Sequence, residues 1–218
     1  MPPPPWEAIV ATLPPLPRGF YEPSAEAVAP RLLGQILIRR EPRGLCAGLI
    51  VETEAYLRHD PACHAFRGET ARNRSMFGPP GHAYLYFIYG NHWCLNAVCG
   101  PAGIGEAVLV RALEPVAGWP VLLARRPAKK IEDLTNGPAK LCAALALDRS
   151  HDGADLCDPA SPIYIAAAPA PETILATRGP IVTTTRVGIV KAADWPLRFY
   201  LEGSRFVSRR PRKPKNLD

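Results

Sequence analysis

Glu52, Glu54 and Tyr56 follow the apolar run AGLIV with one residue between each, inside VETEAYLRHDPACHAFRG (Val51–Gly68). In a β-strand, residues two apart share a face. Both carboxylates and the phenol therefore project together, while Val51, Thr53 and Ala55 project the other way toward a core. The spacing admits three readings. One is an amphipathic strand with an acidic outer face. Another is a carboxylate carried to the floor of a pocket, where it accepts a proton from water. The third treats Glu52 and Glu54 as the two carboxylates of a glycoside hydrolase, since same-face neighbours lie ~6.5–7 Å apart.

Arg111 interrupts the apolar strand AVLVRALEP. A charge at such a position is costly unless it is paired or faces a cleft. It can pair with Glu106 or Glu114 at the surface, or face Glu54 and hold a water against it. A further stretch, RNRSMFGPPGHAYLYFIYGNHWCLN, places Arg72 and Arg74 before a turn-rich loop. Tyr84, Tyr86 and Ile88 then alternate with Leu85, Phe87 and Tyr89, and Tyr89 abuts Gly90 at a hairpin tip. Strands favour aromatics in any case. Aromatics beside arginines also make a stacking surface for bases.

These residues need a scaffold that holds them. The chain has 218 residues, 47% of them apolar, enough for a full core. Its 26 prolines favour loops and short elements over a helical bundle. Residues 1–19 are proline-rich and read as extended or loosely attached. Ser24–Gly34 carries helix signals, although Pro30 opposes them. QILIRR and CAGLIVETEAY form a hairpin through EPRG, and HAYLYFIYG and WCLNAVC form a second through GNH. EAVLVRALEP is a strand stopped by Pro115. WPVLLARR and NGPAKLCAALAL are helical, the latter with Pro138 in its first turn and Leu141 and Leu145 on one face. PIYIAAA, IVTTTRVGIV and LRFYL are late strands. The fold class is α+β: a single domain on a largely antiparallel curved β-sheet with peripheral helices. The organisation is a proline-rich segment (1–17), one domain (18–208) and a basic tail (209–218).

The net charge of +6 suits an acidic partner, nucleic acid first and an anionic membrane surface second. The six cysteines include no C-x-x-C pair and read as free, mostly buried thiols in a reducing cytoplasm. The N-terminus lacks the pattern of a signal peptide, and no apolar run reaches membrane-spanning length.

VETEAY with a following histidine, RN-x-x-MF-x-x-PG-x-x-Y-x-Y-x-IYG, CLN, VL-x-RALEP, GP-x-KL-x-x-AL, and RVG with LRFY occur in that order. Over residues 18–208 the chain resembles the 3-methyladenine (alkyladenine) DNA glycosylase family. The resemblance implies Glu54 as the base that activates water, with Arg111 and the backbone carbonyl of Val187 helping to hold that water. It implies Tyr56, His64 and Tyr86 as the walls that sandwich an extruded base. Asn96 would crowd the purine 2-position, and Met76 and Leu109 would brace the site. Tyr89 would be the wedge that enters the duplex. Two histidines follow Tyr56; the family's small residue before the pocket histidine selects His64, in PACHA, and leaves His59 in solvent. Glu52 would not be the catalytic acid.

The implied partner is double-stranded DNA containing damaged purines, bound by a monomer. Arg67, Arg72, Arg74, Lys129, Lys130 and the tail from Arg205 to Lys215 would contact its backbone. The histidines and cysteines do not cluster at ligand spacing, so neither metal nor cofactor is expected. No lysine occupies a matched pocket position, so lyase chemistry is not expected. A module that binds distorted DNA without cutting it would have the wedge and basic groove but no need of Glu54 and Arg111.

Overall fold

One long strand organises the structure, a computed structural model that describes residues 6–42, 44–88 and 90–208. Strand β1 (Ile36–Glu41) turns at Pro42 and pairs antiparallel with β2 (Gly44–Tyr56), Glu41 facing Gly44. A second hairpin joins β3 (Ala83–Ile88) to β4 (His92–Cys99). Strand β5 (Glu106–Ala117) lies between β4 and β2. The short strands β6 (Ile163–Ala166), β7 (Ile181–Thr184) and β8 (Arg198–Leu201) complete an antiparallel sheet in the order β3-β4-β5-β2-β1-β6, with β8 added beside the second half of β2 and β7 beside β8. The expected α+β class is what the molecule adopts.

β2 is buried on both faces, so neither face is an acidic exterior. Helix α2 (Ala25–Arg31) covers one of them. Ser24 caps it by accepting from the Ala27 N–H at 3.4 Å. Pro30 is tolerated because it lies in the last turn, and the Ala29 carbonyl, near the helix end, accepts from Thr53 Oγ1 at 2.9 Å. That bond docks the helix on the strand and turns Glu52, Glu54 and Tyr56 to the opposite face.

The β2–β5 ladder is irregular where it matters. Ile50 faces Leu113 and Glu52 faces Ala112, but Thr53 faces Val110. The register slips twice, leaving Val51 and then Arg111 without a cross-strand partner. Such slips bend a strand and re-aim a side chain. A third slip, between Ala47 and Gly48, lets β5 continue through Pro115 rather than stop there.

Helices α1 (Trp6–Val10), α3 (Trp119–Arg125), α4 (Pro138–Ala144) and α5 (Pro171–Arg178) pack around the sheet. Two readings of the sequence need correction. Residues 6–20 are not loosely attached, because Val10 and Leu16 are buried in the core and Pro15 bridges to Ala166. IVTTTRVGIV is a strand only to Thr184, since Arg186 and Val187 leave the sheet to meet buried acids. Helix α5 was unexpected, though Pro171 and Glu172 are ordinary helix-start residues. The first residues, 1–5, and the tail from 209 lie outside the described residues.

Apart from the main core sits a small second cluster of Cys63, Ala65, Met76, Tyr84, Val98 and Ala107. Gly105 abuts it with φ +78°, where a Cβ would fall 2.7 Å from that of Ala65 and 2.9 Å from the Phe77 ring. Gly105→Ala is expected to destabilise by about 2–4 kcal/mol through overpacking and left-handed strain, read as a lower urea midpoint.

Candidate active site

Glu54 has no exposed surface. Its Oε2 accepts from the Tyr56 hydroxyl at 2.9 Å and from Arg111 Nη1 at 3.1 Å. Its Oε1 accepts from the Val187 N–H at 2.7 Å. The slip that strands Arg111 thus delivers its guanidinium to Glu54, and the surface pairing with Glu106 or Glu114 does not occur. Glu114 is held by Arg178 at 2.6 and 2.9 Å, and Glu106 accepts from the N–H groups of Ala25 and Arg58. The Val187 group that meets Glu54 is its N–H rather than its carbonyl.

Burial raises the Glu54 pKa above the ordinary glutamate value, while Arg111, the Val187 N–H and the Tyr56 hydroxyl pull it back. Arg111 therefore moderates the shift without reversing it. The carboxyl is a stronger base than a solvent-exposed one. Burial and the neighbouring carboxylate push the Tyr56 phenol far up, so it remains a donor.

The three donors to Glu54 all line one cavity of about 280 Å³. His64, Met76, Tyr86, Asn96 and Leu109 line it too, so every expected pocket residue converges there. Reading the sequence missed Tyr84, Ile88, His92, Cys94, Pro138, Ala139 and the loop residues Gly188 and Ile189. Strand alternation with Tyr86 was the available signal for two of these, Tyr84 and Ile88. His64 accepts or donates at Nδ1 to the Tyr84 hydroxyl at 2.8 Å, and its ring stands edge-on to Tyr86 at 4.5 Å. Burial and the charge of Arg72 lower its pKa, so the ring is neutral at neutral pH. Asn96 donates through Nδ2 to the Tyr84 carbonyl at 3.0 Å, which fixes its amide against the wall. His59 is exposed beside Trp195 and does not line the cavity.

Tyr56 is backed by a buried ion pair that sequence reading missed. Arg186 places its guanidinium 4.7 Å from the Tyr56 ring centroid, donates to the Ala55 carbonyl at 3.0 Å, and pairs with Asp60 through both Nη atoms. One face of Tyr56 is thus occupied by a cation, and the residue also lines the cavity.

Glu52 is not a second free carboxylate. It too is fully buried and accepts from Arg111 Nε, Arg198 Nε, the Ser208 N–H and Ser208 Oγ. With its acceptor sites engaged, a two-carboxylate hydrolase is set aside.

Around the mouth, Arg67, Arg72 and Arg74 are exposed on the segment that carries His64 and Met76. Arg72 donates to the Phe87 carbonyl at 2.8 Å, and Arg74 is 3.3 Å from Glu69. Lys129 and Lys130 are exposed ahead of α4, whose first residues line the cavity. Tyr89 lies outside the described residues. Among the described residues, no three His, Cys, Asp or Glu side chains converge as a metal site, and no helix is long and apolar enough to cross a membrane.

Residues 19–205 match the family described as methylpurine-DNA glycosylase. Similar proteins include one from Methanoculleus marisnigri, 53% identical over 89% of this chain and 99% of its own length. Others come from Carboxydothermus hydrogenoformans, 47% identical over 89% of this chain and 99% of its own, and Rubrobacter xylanophilus, 48% identical over 84% of this chain and 90% of its own. All three are provisionally named 3-methyladenine DNA glycosylase.

Asp60→Asn would leave Arg186 charged, buried and unpaired behind Tyr56. The expected loss is about 3–5 kcal/mol of folding stability, measured by chemical denaturation.

Proposed function

The chain belongs to the methylpurine-DNA glycosylase family and is a DNA glycosylase for alkylated bases in DNA repair; on that premise we propose that it extrudes a damaged purine into the tyrosine-lined cavity and hydrolyses the N-glycosidic bond with a water activated by Glu54. The observation that carries this reading is the convergence of Tyr56, Arg111 and Val187 on one buried carboxylate directly beneath the cavity wall.

Alkylation at N3 or N7 makes the purine cationic, so it leaves as a neutral molecule and needs little acid help. What remains is to stabilise a cationic sugar and deliver water. Glu54 serves both: its negative charge opposes the developing positive charge, and it takes the proton as water attacks C1′. Among the described residues Oε1 accepts one hydrogen bond, from the Val187 N–H, and an ionised carboxylate oxygen has room for a second donor. The water sits there, where Val187 and Arg111 reach the cavity.

Extrusion costs a few kcal/mol, least at damaged pairs. Stacking on aromatic side chains returns about 1–3 kcal/mol per base. The Tyr86 face attracts a cationic base more than a neutral one. Tyr56 is the weaker discriminator, because Arg186 already draws on its ring. Asn96, its amide fixed by Tyr84, crowds the 2-amino group of normal guanine. Tyr89, which follows Ile88 in the sequence, is assigned as the wedge that fills the vacated stack. Arg67, Arg72, Arg74, Lys129 and Lys130 hold phosphates without reading sequence, so binding weakens steeply with salt.

The reaction is metal-independent hydrolysis without strand cleavage. A single chain suffices, and it works in the cytoplasm. The free state of all six cysteines accords with a reducing compartment.

The decisive assay is base release from duplexes carrying one defined lesion each, with 3-methyladenine and 7-methylguanine as the first candidates. Glu54→Gln should lower single-turnover release by about 1,000-fold or more and leave lesion binding nearly intact; substantial turnover would remove Glu54 as the base. The rate should also fall as pH drops through a Glu54 pKa above the ordinary value of about 4.3. Tyr56→Phe removes one group that lowers that pKa, so its acid limb should move to higher pH in the same assay.

A further inference from the structure

We propose that Glu52 is a positioning residue for the glycosylase reaction: it locks the Arg111 guanidinium in the orientation that serves Glu54, without itself meeting the substrate. The proposal rests on the assignment of Glu54 as the base and extends it to a residue with no place in the cavity lining.

Glu52 and Glu54 share a face of β2, and Arg111 is clamped between them. Its Nε donates to Glu52 Oε1 at 3.1 Å, its Nη1 donates to Glu54 Oε2 at 3.1 Å, and its Nη2 donates to Ser208 Oγ at 3.3 Å. A guanidinium is a rigid planar fork. Fixing its Nε edge therefore fixes where Nη1 points. The backbone does not supply that orientation, because Arg111 sits at the register slip with no residue opposite it.

Glu52 is in turn anchored by parts of the chain distant in sequence. Arg198 Nε reaches Oε1 at 2.7 Å from β8, the Ser208 N–H reaches Oε2 at 2.7 Å, and Ser208 Oγ reaches Oε1 at 2.9 Å. The result is a buried set of two carboxylates and two guanidiniums, each of the four side chains less than a tenth exposed. Arg111 shares its charge between both acids. Glu52 is thus both the hinge pin of the fork and a negative charge that offsets Arg111 and Arg198 near Glu54.

Glu52→Gln keeps the shape but removes the charge and turns one acceptor into a donor facing either Ser208 or the arginines. On the duplex that the wild type cleaves fastest, its single-turnover plateau should fall about 100-fold, the cost of a small misplacement at a reacting centre, with lesion affinity within a few-fold. Two further readouts separate positioning from mere support. First, Glu52→Gln in an Arg111→Gln background should add little to the loss from Arg111→Gln alone, because both act through one fork. Second, its acid limb should move to lower pH. The groups facing Glu54 are Arg111 from β5, Arg198 across β8 through Glu52, Tyr56 and Glu52 from its own strand, and Val187 with the Arg186–Asp60 pair from the loop after β7. Removing the Glu52 charge leaves the arginines to depress Glu54 further.

A wild-type plateau and limb in Glu52→Gln, or losses that multiply in the double variant, would overturn the proposal. Should Glu52→Gln fail to fold, Ser208→Ala removes only one hydroxyl from the same clamp. It should slow release about fivefold, as for one hydrogen bond, with the same lack of additivity; an unchanged or additive rate overturns the proposal equally. Glu54→Gln measured alongside keeps the two ideas apart. If it stays active, the assignment of the base has failed; if it is dead while Glu52→Gln is normal, only the role of Glu52 has.

Discussion

The contact between Glu54 and Arg111 is the constraint that the rest of the structure serves. A carboxylate with no solvent exposure is costly to keep charged, and removing its partner would leave an uncompensated charge worth several kcal/mol. Its donors arrive from three places: the same strand, β5, and the loop after β7. The slip in the β2–β5 ladder and the departure of the chain from β7 after Thr184 are both local sacrifices of regular pairing. Each frees a group, the Arg111 guanidinium or the Val187 N–H, that a regular strand would have held elsewhere. Burial then outweighs these donors and leaves Glu54 more basic than an exposed glutamate. On the proposed reading this balance is functional: a carboxylate too well stabilised would be a poor proton acceptor.

The cavity above it has unlike walls. Tyr56 is fixed at both ends, its hydroxyl to Glu54 and one ring face to Arg186. Tyr86 meets the edge of His64, and among the described residues no cation lies over its ring. On the proposed reading, selection for a charged base rests more on Tyr86, while Tyr56 couples the base platform mechanically to the proposed base. The lowered pKa of His64 favours its neutral form, so on the same reading it contributes shape and a polar edge rather than a charge that would repel an alkylated purine.

Much of this arrangement was legible in the sequence. An arginine inside an apolar strand and acids at strand spacing admitted a buried charge pair as one of several readings, and the family resemblance named Tyr56, His64, Tyr86 and Asn96 as one pocket. The partner set of Glu52 was not legible, because Arg198 and Ser208 come from the far end of the chain and a register slip leaves no mark in residue type. Arg186 was misread as part of a strand, since IVTTTRVGIV is β-branched at every position but Arg186 and Gly188; the need to satisfy buried Asp60 and Glu54 pulls it and Val187 out of the sheet. Pro115 was read as a stop, but a strand tolerates proline where its ladder is already irregular. The first helix was hidden by the prolines around it, which say nothing of whether Val10 and Leu16 reach the core.

The central claim is that the buried charge of Glu54 opposes a positive charge on the sugar. It is tested most directly by comparing affinity for two duplexes, one with a neutral oxygen ring at the lesion position and one with a protonated five-membered nitrogen ring. The wild type should prefer the cationic ring, and Glu54→Gln should lose that preference while still binding the neutral one. An equal preference in both proteins would contradict the account.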